Sequence, residues 1–228
     1  MQEQQKDQKI GDWVLYKNNQ FIAFNKPAGL PSQNDQTEDK SLAQLAEIYA
    51  KQSLYVTHRL DRPASGVMLF GKTNKAVAAI NEQFQNRSIQ KTYLAAVKNK
   101  PQKEKDTIVH YIKKDARKNK VNAYDKPQKD AKEASLTYRV VGSSTTYHLL
   151  EISLHTGRHH QIRAQLQAIG CPIKGDVKYG FKRGNRDRSI HLHAWKLDFK
   201  HPISKKNETI VASLPDDPVW NALAEYIK

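Results

Sequence analysis

Short apolar runs recur along the whole chain and constrain its fold more than any other feature. They include WVLY from residue 13, VMLF from residue 67 and YHLLEISL from residue 147. Their lengths and residue types are those of β-strands, and several are joined to the next run by only a few turn-forming residues. Between some of the other apolar runs lie stretches with helical periodicity. Because strands often follow one another directly, the order predicts an α+β fold and not a doubly wound parallel sheet.

The periodicities also give bounds for each element. Strands are predicted at 13–16, 21–25, 54–58, 66–73, 91–97, 108–112, 134–141, 147–154, 190–199 and 209–212, and helices at 41–52, 74–86, 158–169 and 218–227. The first helix should bury the apolar side chains on one face, which are Leu42, Leu45, Ile48 and Tyr49. Since no repeat or linker divides the chain, we expect one domain over 10–228 after a disordered polar tail at 1–9.

The chain is strongly basic, with 38 lysines and arginines against 23 acidic residues and a net charge of +15. Residues 98–132 hold 12 basic and 5 acidic side chains, and residues 174–188 hold 6 and 2. Both segments contain turn formers and lack a helical apolar period, which predicts loops or short hairpins and not a membrane-surface helix. Phosphate groups of a nucleic acid are the expected partner, and solvated loops that only aid solubility are the alternative.

Several other classes of protein are disfavoured by composition. No apolar stretch approaches the ~20 residues that span a bilayer and the N-terminus does not resemble a signal peptide, so a cytoplasmic protein without membrane contact is expected. The single cysteine, Cys171, allows no intrachain disulfide and is expected in the core. His191 and His193 alternate on one predicted strand, and His159 and His160 are adjacent, but no third Cys, His or carboxylate follows a recognisable spacing, so we expect no metal site.

One polar cluster, HRLDRPASG at residues 58–66, lies between two apolar runs and should form a loop between strands. Pro63 and Gly66 favour a rigid, sharply bent loop, which would hold Asp61 beside the side chains of three potential cations. These are His58, Arg59 and Arg62. Such neighbours stabilise an ionised carboxylate. The alternative is that Asp61 only accepts backbone hydrogen bonds within a turn.

A second cluster, TGRHHQIRAQLQAIGCPIKGDVKYG, occupies residues 156–180. Thr156 is a suitable cap for a helix whose inner stripe is Ile162, Leu166 and Ile169. His159, Arg163 and Gln167 would then share an adjoining face, able to present polar groups to a buried site or to form only a solvated flank. The following GDVKYG segment is predicted to be a turn that could hold Tyr179 against the sheet.

These clusters, together with NKPAGLPSQ at 25–33 and KTYLA at 91–95, resemble the motif series of RluA-type pseudouridine synthases, in the same order, from Asn25 to His193. The resemblance implies an α+β catalytic domain with a long mixed, mainly antiparallel sheet flanked by helices and a central RNA-binding cleft. It implies an isomerase that converts uridine to pseudouridine in ribosomal or transfer RNA without cofactor or metal. We also expect the protein to be a monomer. A non-catalytic RNA-binding or assembly protein with the same fold is the alternative.

By the same resemblance, Asp61 matches the essential aspartate, Tyr93 the tyrosine that stacks on the target base, and Arg163 the arginine that pairs with the aspartate. Arg59 matches the side chain that enters the RNA stack when the uridine is flipped out, and Ile162 a wall of the pocket. The other candidates for substrate contact are His58, Arg62, His160 and Gln161.

The sequence departs from the family pattern at two positions, Ala64 in place of threonine and Gln165 in place of histidine. Only 24 residues precede Asn25, so a separate N-terminal RNA-binding domain is not expected. The expected reaction breaks the bond from ribose C1′ to N1 of uracil and joins C1′ to C5. Asp61 could stabilise the developing positive charge, act as a nucleophile, or remove a proton from the sugar, and the sequence does not choose among these.

Overall fold

A computed structural model describes residues 9–115, 117 and 119–227 of the chain. Almost all of the predicted tail at 1–9 lies outside the described residues. The described chain forms two compact units, one from residues 9–90 with 194–213 and the other from 91–193 with 214–227. The predicted α+β fold is confirmed, since antiparallel strands and flanking helices build both units.

The strands, in chain order, are β1 (Val14–Lys17), β2 (Phe21–Lys26), β3 (Tyr55–Val56), β4 (Ser65–Gly71), β5 (Gln90–Val97), β6 (Lys105–Asp115), β7 (Lys120–Tyr124), β8 (Lys132–Ser143), β9 (His148–Leu154), β10 (Leu192–Lys200) and β11 (Asn207–Val211). The helices are α1 (Leu42–Ala50), α2 (Asn74–Gln85), α3 (Gln161–Ala168) and α4 (Pro218–Leu223). Short 3₁₀ turns lie at Ile10–Trp13, Val177–Tyr179 and Ala224–Tyr226. None of the helices in the described ranges is long and apolar enough to cross a bilayer.

The first unit is built around β4, whose seven residues are all buried. Strand β2 pairs with it antiparallel, from Phe21 opposite Gly71 to Lys26 opposite Gly66. Helix α1 packs on one face of these strands against Phe24 and Phe70, and α2 packs on the other face. Because both faces of β4 are covered, its sequence is an unbroken apolar run and does not alternate.

Helix α1 is where the predicted inner face was partly wrong. Ser41 caps it as expected, since its hydroxyl accepts a hydrogen bond from the Gln44 N–H. However, Leu42 and Ala46 are the buried residues, and Ile48 is 64% exposed. The face that packs against the sheet is therefore a narrow i, i+4 row, and the other predicted inner residues lie at its margin, partly or mostly exposed.

The second unit contains an antiparallel sheet with the strand order β5, β9, β8, β6, β7. Its last two strands correct the sequence prediction for the basic segment 98–132. Strand β6 has 11 residues, more than twice the predicted length, and β7 was not predicted at all. Neither strand forms a continuous apolar run, because the buried apolar residues of β6, such as Ile108 and Ile112, alternate with more exposed positions and lysines occur at both ends of the strand.

Helix α3 also begins later than predicted, at Gln161. Its N-terminal cap is His160 in a left-handed conformation, with φ of 51°, and not Thr156. The Thr156 hydroxyl instead accepts a hydrogen bond from the Ser135 N–H and donates one to the Gln161 side chain, so it joins the helix start to β8. Cys171 is buried, as expected.

Candidate active-site residues in each unit

In the first unit, Asp61 lies on the predicted loop between β3 and β4. The Asp61 carbonyl accepts a hydrogen bond from the Ala64 N–H at 3.0 Å, which closes the turn that Pro63 favours. The Ser32 side chain bonds to both backbone polar groups of Leu60. These buried hydrogen bonds between Ser32 and Leu60 therefore hold the loop that carries Asp61 to the loop that contains Ser32.

Lys26 is a residue of this region that sequence reasoning missed. Its side chain is fully buried, and Nζ donates to the carbonyl oxygens of Pro27 at 3.0 Å, Leu30 at 2.8 Å and Arg62 at 3.2 Å. Burial lowers the pKa of Lys26 from 10.5 to about 7, partly opposed by the negative charge of Asp61. The only signal in the sequence was a lysine at the end of an apolar strand, directly before a proline.

The three basic neighbours of Asp61 have different surroundings. His58 accepts a hydrogen bond from the Leu69 N–H at 3.1 Å and packs against Phe84. Arg59 is exposed. The Arg62 guanidinium donates to the Gly29 carbonyl at 2.9 Å and to the Asp39 carboxylate, and it lies 3.8 Å from Asp35. The Arg62 guanidinium is thus paired with acidic side chains of the same unit.

In the second unit, Tyr93 lies on β5 opposite Ile152 of β9 and is 8% exposed. Lys91, two residues earlier, points to the same side of the strand. Burial lowers the pKa of the Lys91 ammonium. Its Nζ lies close to Gly157, where an added Cβ would be 3.1 Å away. Ile162, the predicted wall residue, is almost fully buried on α3.

Arg163 is buried on α3 and has a partner that sequence reasoning did not find. Its Nε donates to one Asp176 carboxylate oxygen at 2.7 Å, and its Nη2 donates to the other at 2.9 Å. The two side chains are 5% and 1% exposed. The guanidinium also lies over the ring of Tyr179, 4.9 Å from its centroid. Tyr179 lies against the sheet, as the sequence suggested: its side chain is fully buried, and its hydroxyl accepts a hydrogen bond from the Val121 N–H.

Two glutamines of α3 form a buried ladder toward the sheet. Gln161 donates to the Ser135 carbonyl at 3.1 Å and to the Gln165 side chain at 2.9 Å. Gln165 contacts the Ala134 carbonyl at 3.1 Å and His110 Nδ1 at 3.2 Å. Burial lowers the pKa of His110, which favours a neutral ring able to accept from the amide. Gln165, which stands where the family usually has histidine, therefore uses its side-chain amide to anchor α3 to the sheet. Gln161 contributes to the same anchor.

The other histidines differ in their surroundings, since His159 is exposed whereas His191 and His193 are buried. His160 Nδ1 lies 2.9 Å from the Tyr179 hydroxyl, and its ring stacks on His159 at 3.8 Å. His191 Nε2 lies 3.1 Å from an Asp217 oxygen and stacks on Trp220, which His193 meets edge-on. His191 and His193 thus belong to the packing around α4.

Comparison with known proteins identifies close relatives over nearly the whole chain. Residues 20–168 match a family model described as RNA pseudouridylate synthase. The tRNA pseudouridine synthase C of Haemophilus influenzae is 34% identical over 92% of this chain and 95% of its own length. The protein of the same name from Pasteurella multocida is 34% identical over 91% of this chain and 92% of its own length.

Solved structures share the fold. Human RNA Pseudouridylate Synthase Domain Containing 4 superposes with a TM-score of 0.75 at 23% identity, over 96% of this chain and 94% of that chain. Human RNA Pseudouridylate Synthase Domain Containing 1 gives 0.74 at 23% identity, over 90% and 84%. Asp61, Tyr93 and Arg163 all fall within the residues that the family model matches, whereas Asp176 and Tyr179 follow them.

Proposed function

Because the chain belongs to the RNA pseudouridylate synthase family and is therefore an isomerase of uridine in RNA, we propose that Asp61, Tyr93 and Arg163 carry its reaction. The observation behind this assignment is that all three lie, with the family's residue types, inside the one matched segment. The rigid turn under Asp61 and the buried position of Arg163 support it, because catalytic groups act best when their geometry is set in advance.

The reaction is an internal rearrangement and needs few groups. The C1′–N1 bond breaks, the base turns while it stays bound, and C1′ bonds to C5, which then loses its proton while N1 gains one. One carboxylate at Asp61 serves the sugar, as nucleophile, base or electrostatic partner. The ring of Tyr93 holds the detached uracil by stacking, which tolerates rotation of the base.

Arg163 is the cation that we assign to the Asp61 carboxylate. A guanidinium keeps its charge at any accessible pH and offers several donors in one plane, so it can orient a carboxylate as well as stabilise its negative charge. Arg59 is assigned to the gap that the uridine leaves in the RNA stack, since its side chain is exposed on the loop that carries Asp61.

We assign the substrate to transfer RNA, because this is the RNA named for the relatives that match most of the chain. The protein would act on it as a monomer in the cytoplasm. The basic segments 98–132 and 174–188 would contact phosphates around a uridine in a loop or bulge, where unstacking costs least.

The test uses transfer RNA labelled with tritium at C5 of uridine, from cells that lack the gene. The unmutated protein should release tritium, and Asp61→Asn should release none while it binds the RNA equally well. Asp198→Asn is the matched control, because Asp198 belongs to the same unit and its carboxylate accepts a hydrogen bond from Thr209. Full release by Asp61→Asn would contradict its role, and no release by the unmutated protein would favour the RNA-binding alternative.

A further inference from the structure

We propose that Asp176 and Tyr179 are positioning residues that hold the Arg163 guanidinium in its working orientation. Neither belongs to the segment that the family model matches, and both lie in the turn that follows α3. The inference rests on the role proposed above for Arg163. It concerns residues of the second unit alone.

The contact with Asp176 restrains the orientation of Arg163. A free arginine side chain samples many rotamers, and ordering it costs conformational entropy. The buried Asp176 carboxylate binds the Nε and Nη2 edge with two parallel hydrogen bonds, which fixes the plane of the guanidinium. The other three N–H groups lie away from this edge, and these are the donors that we assign to Asp61.

The ring of Tyr179 packs against the face of the same guanidinium, and Tyr179 is itself held in place. Its ring lies 4.9 Å from Arg163 Cζ, the geometry of a cation over an aromatic face. Its hydroxyl accepts a hydrogen bond from the Val121 N–H at 2.9 Å and lies 2.9 Å from His160 Nδ1. Because Val121 belongs to β7, the support for Arg163 is anchored to the basic β6–β7 hairpin.

The turn that carries both residues has little freedom. Gly175 and Gly180, at its two ends, have φ of 86° and 93°, which other residues rarely adopt. A Cβ at Gly175 would come within 2.8 Å of the Ser189 carbonyl oxygen. The turn can therefore present the carboxylate and the ring at fixed positions against α3.

The experiment measures kcat and KM for tritium release, RNA affinity and thermal stability for Asp176→Asn, which keeps the shape of the side chain and removes its charge. We expect kcat to fall about 10- to 100-fold, with RNA affinity unchanged, because only the placement of Arg163 is altered. Asp217→Asn is the control, since Asp217 is a partly buried aspartate of the same unit and lies 3.1 Å from His191 Nε2. It should lose stability and keep kcat.

A double-mutant cycle separates positioning from a general structural effect. In an Arg163→Met background, Asp176→Asn should cause no further loss of kcat, because it acts through Arg163. Additive losses, or a kcat in Asp176→Asn no lower than in Asp217→Asn, would overturn the inference. If Asp176→Asn does not fold, Tyr179→Phe, which keeps the ring and removes the hydroxyl, is measured in the same cycle. An unmutated protein that releases no tritium would contradict the proposed function instead.

Discussion

Lys26 shows how much a single residue contributes to the loop that carries Asp61. An ammonium group with no exposed surface is costly unless its protons are bound, and three carbonyl oxygens bind them here. Two of these carbonyls belong to the NKPAGL loop and the third to Arg62, next to Asp61. Lys26 thus ties both loops together.

The buried position of Lys26 predicts a pH dependence of folding. Its pKa is about 7 in the folded chain, against an ordinary value of 10.5 for a lysine in water. Between these values the unfolded chain binds more protons, so the free energy of unfolding should rise with pH from about 7, by a few kcal/mol in total. Below pH 7 the lysine is protonated in both states, and the full cost of burying the charge is present.

Denaturation by urea from pH 6 to 10 checks this prediction in the unmutated protein and in Lys26→Met. The part of the rise that is due to Lys26 should be absent from the methionine variant, and it should be unchanged in a control, Lys75→Met, at an exposed position. In Asp61→Asn the rise should begin at lower pH, because the Asp61 charge raises the pKa of Lys26. Parallel curves for the unmutated protein and Lys26→Met would refute the prediction.

Strand β4 illustrates how an element positions the site, because the Asp61 loop enters the sheet at its first residues. Gly66 has φ of 116°, and a Cβ there would lie 2.2 Å from the Ala194 carbonyl oxygen. Gly29, in the facing loop, has φ of 87°, but a Cβ at that position would have no heavy atom within 4 Å. Both positions favour glycine for their backbone, but only Gly66 also requires it for close packing against another backbone.

We therefore predict unequal costs for alanine at these two glycines. Gly29→Ala should lower the free energy of unfolding by about 1 kcal/mol, the cost of a left-handed conformation. Gly66→Ala should lower it by more than about 4 kcal/mol, since one strand must move away from the other. Denaturation by urea measures both values. Equal losses would show that β4 and β10 separate more easily than their packing indicates.

Charge is the property of the whole protein that most affects its binding to RNA. Most of the net charge of +15 comes from residues 98–132 and 174–188 of the second unit, where Lys114, Lys126 and Lys129 are among the exposed lysines. Each lysine that meets a phosphate releases counterions, so RNA affinity should fall steeply with salt. If the same charges lay away from the bound RNA, they would aid solubility but would not make RNA affinity fall steeply with salt.

Charge reversal at matched sites distinguishes the two effects. One variant changes four exposed lysines of the second unit to glutamate, which are Lys114, Lys126, Lys129 and Lys132. The control changes four exposed lysines of the first unit, which are Lys51, Lys75, Lys205 and Lys206. The first variant should bind RNA more weakly, with a flatter dependence of log Kd on log salt, because phosphate contacts are lost. Equal weakening would mean that only net charge matters.

Much of the fold was predictable because it depends on local patterns. Apolar runs indicated most strands, and Ser41 marked the start of α1 correctly. Strand β7 and the full length of β6 were missed, since neither forms a continuous apolar run and the local composition favours loops. The start of α3 was misplaced at Thr156, because the hydroxyl bonds to a strand that only the folded chain brings near.

The family and the class of reaction could be predicted from the sequence, and so could the candidate residues Asp61, Tyr93 and Arg163, because the motifs that carry the resemblance are short and continuous in the chain. Which groups meet across long separations along the chain became known from the folded structure. It placed Asp176 on Arg163, the Val121 N–H on the Tyr179 hydroxyl, and three carbonyls around Lys26. These contacts depend on burial and on backbone direction, which local propensity does not encode.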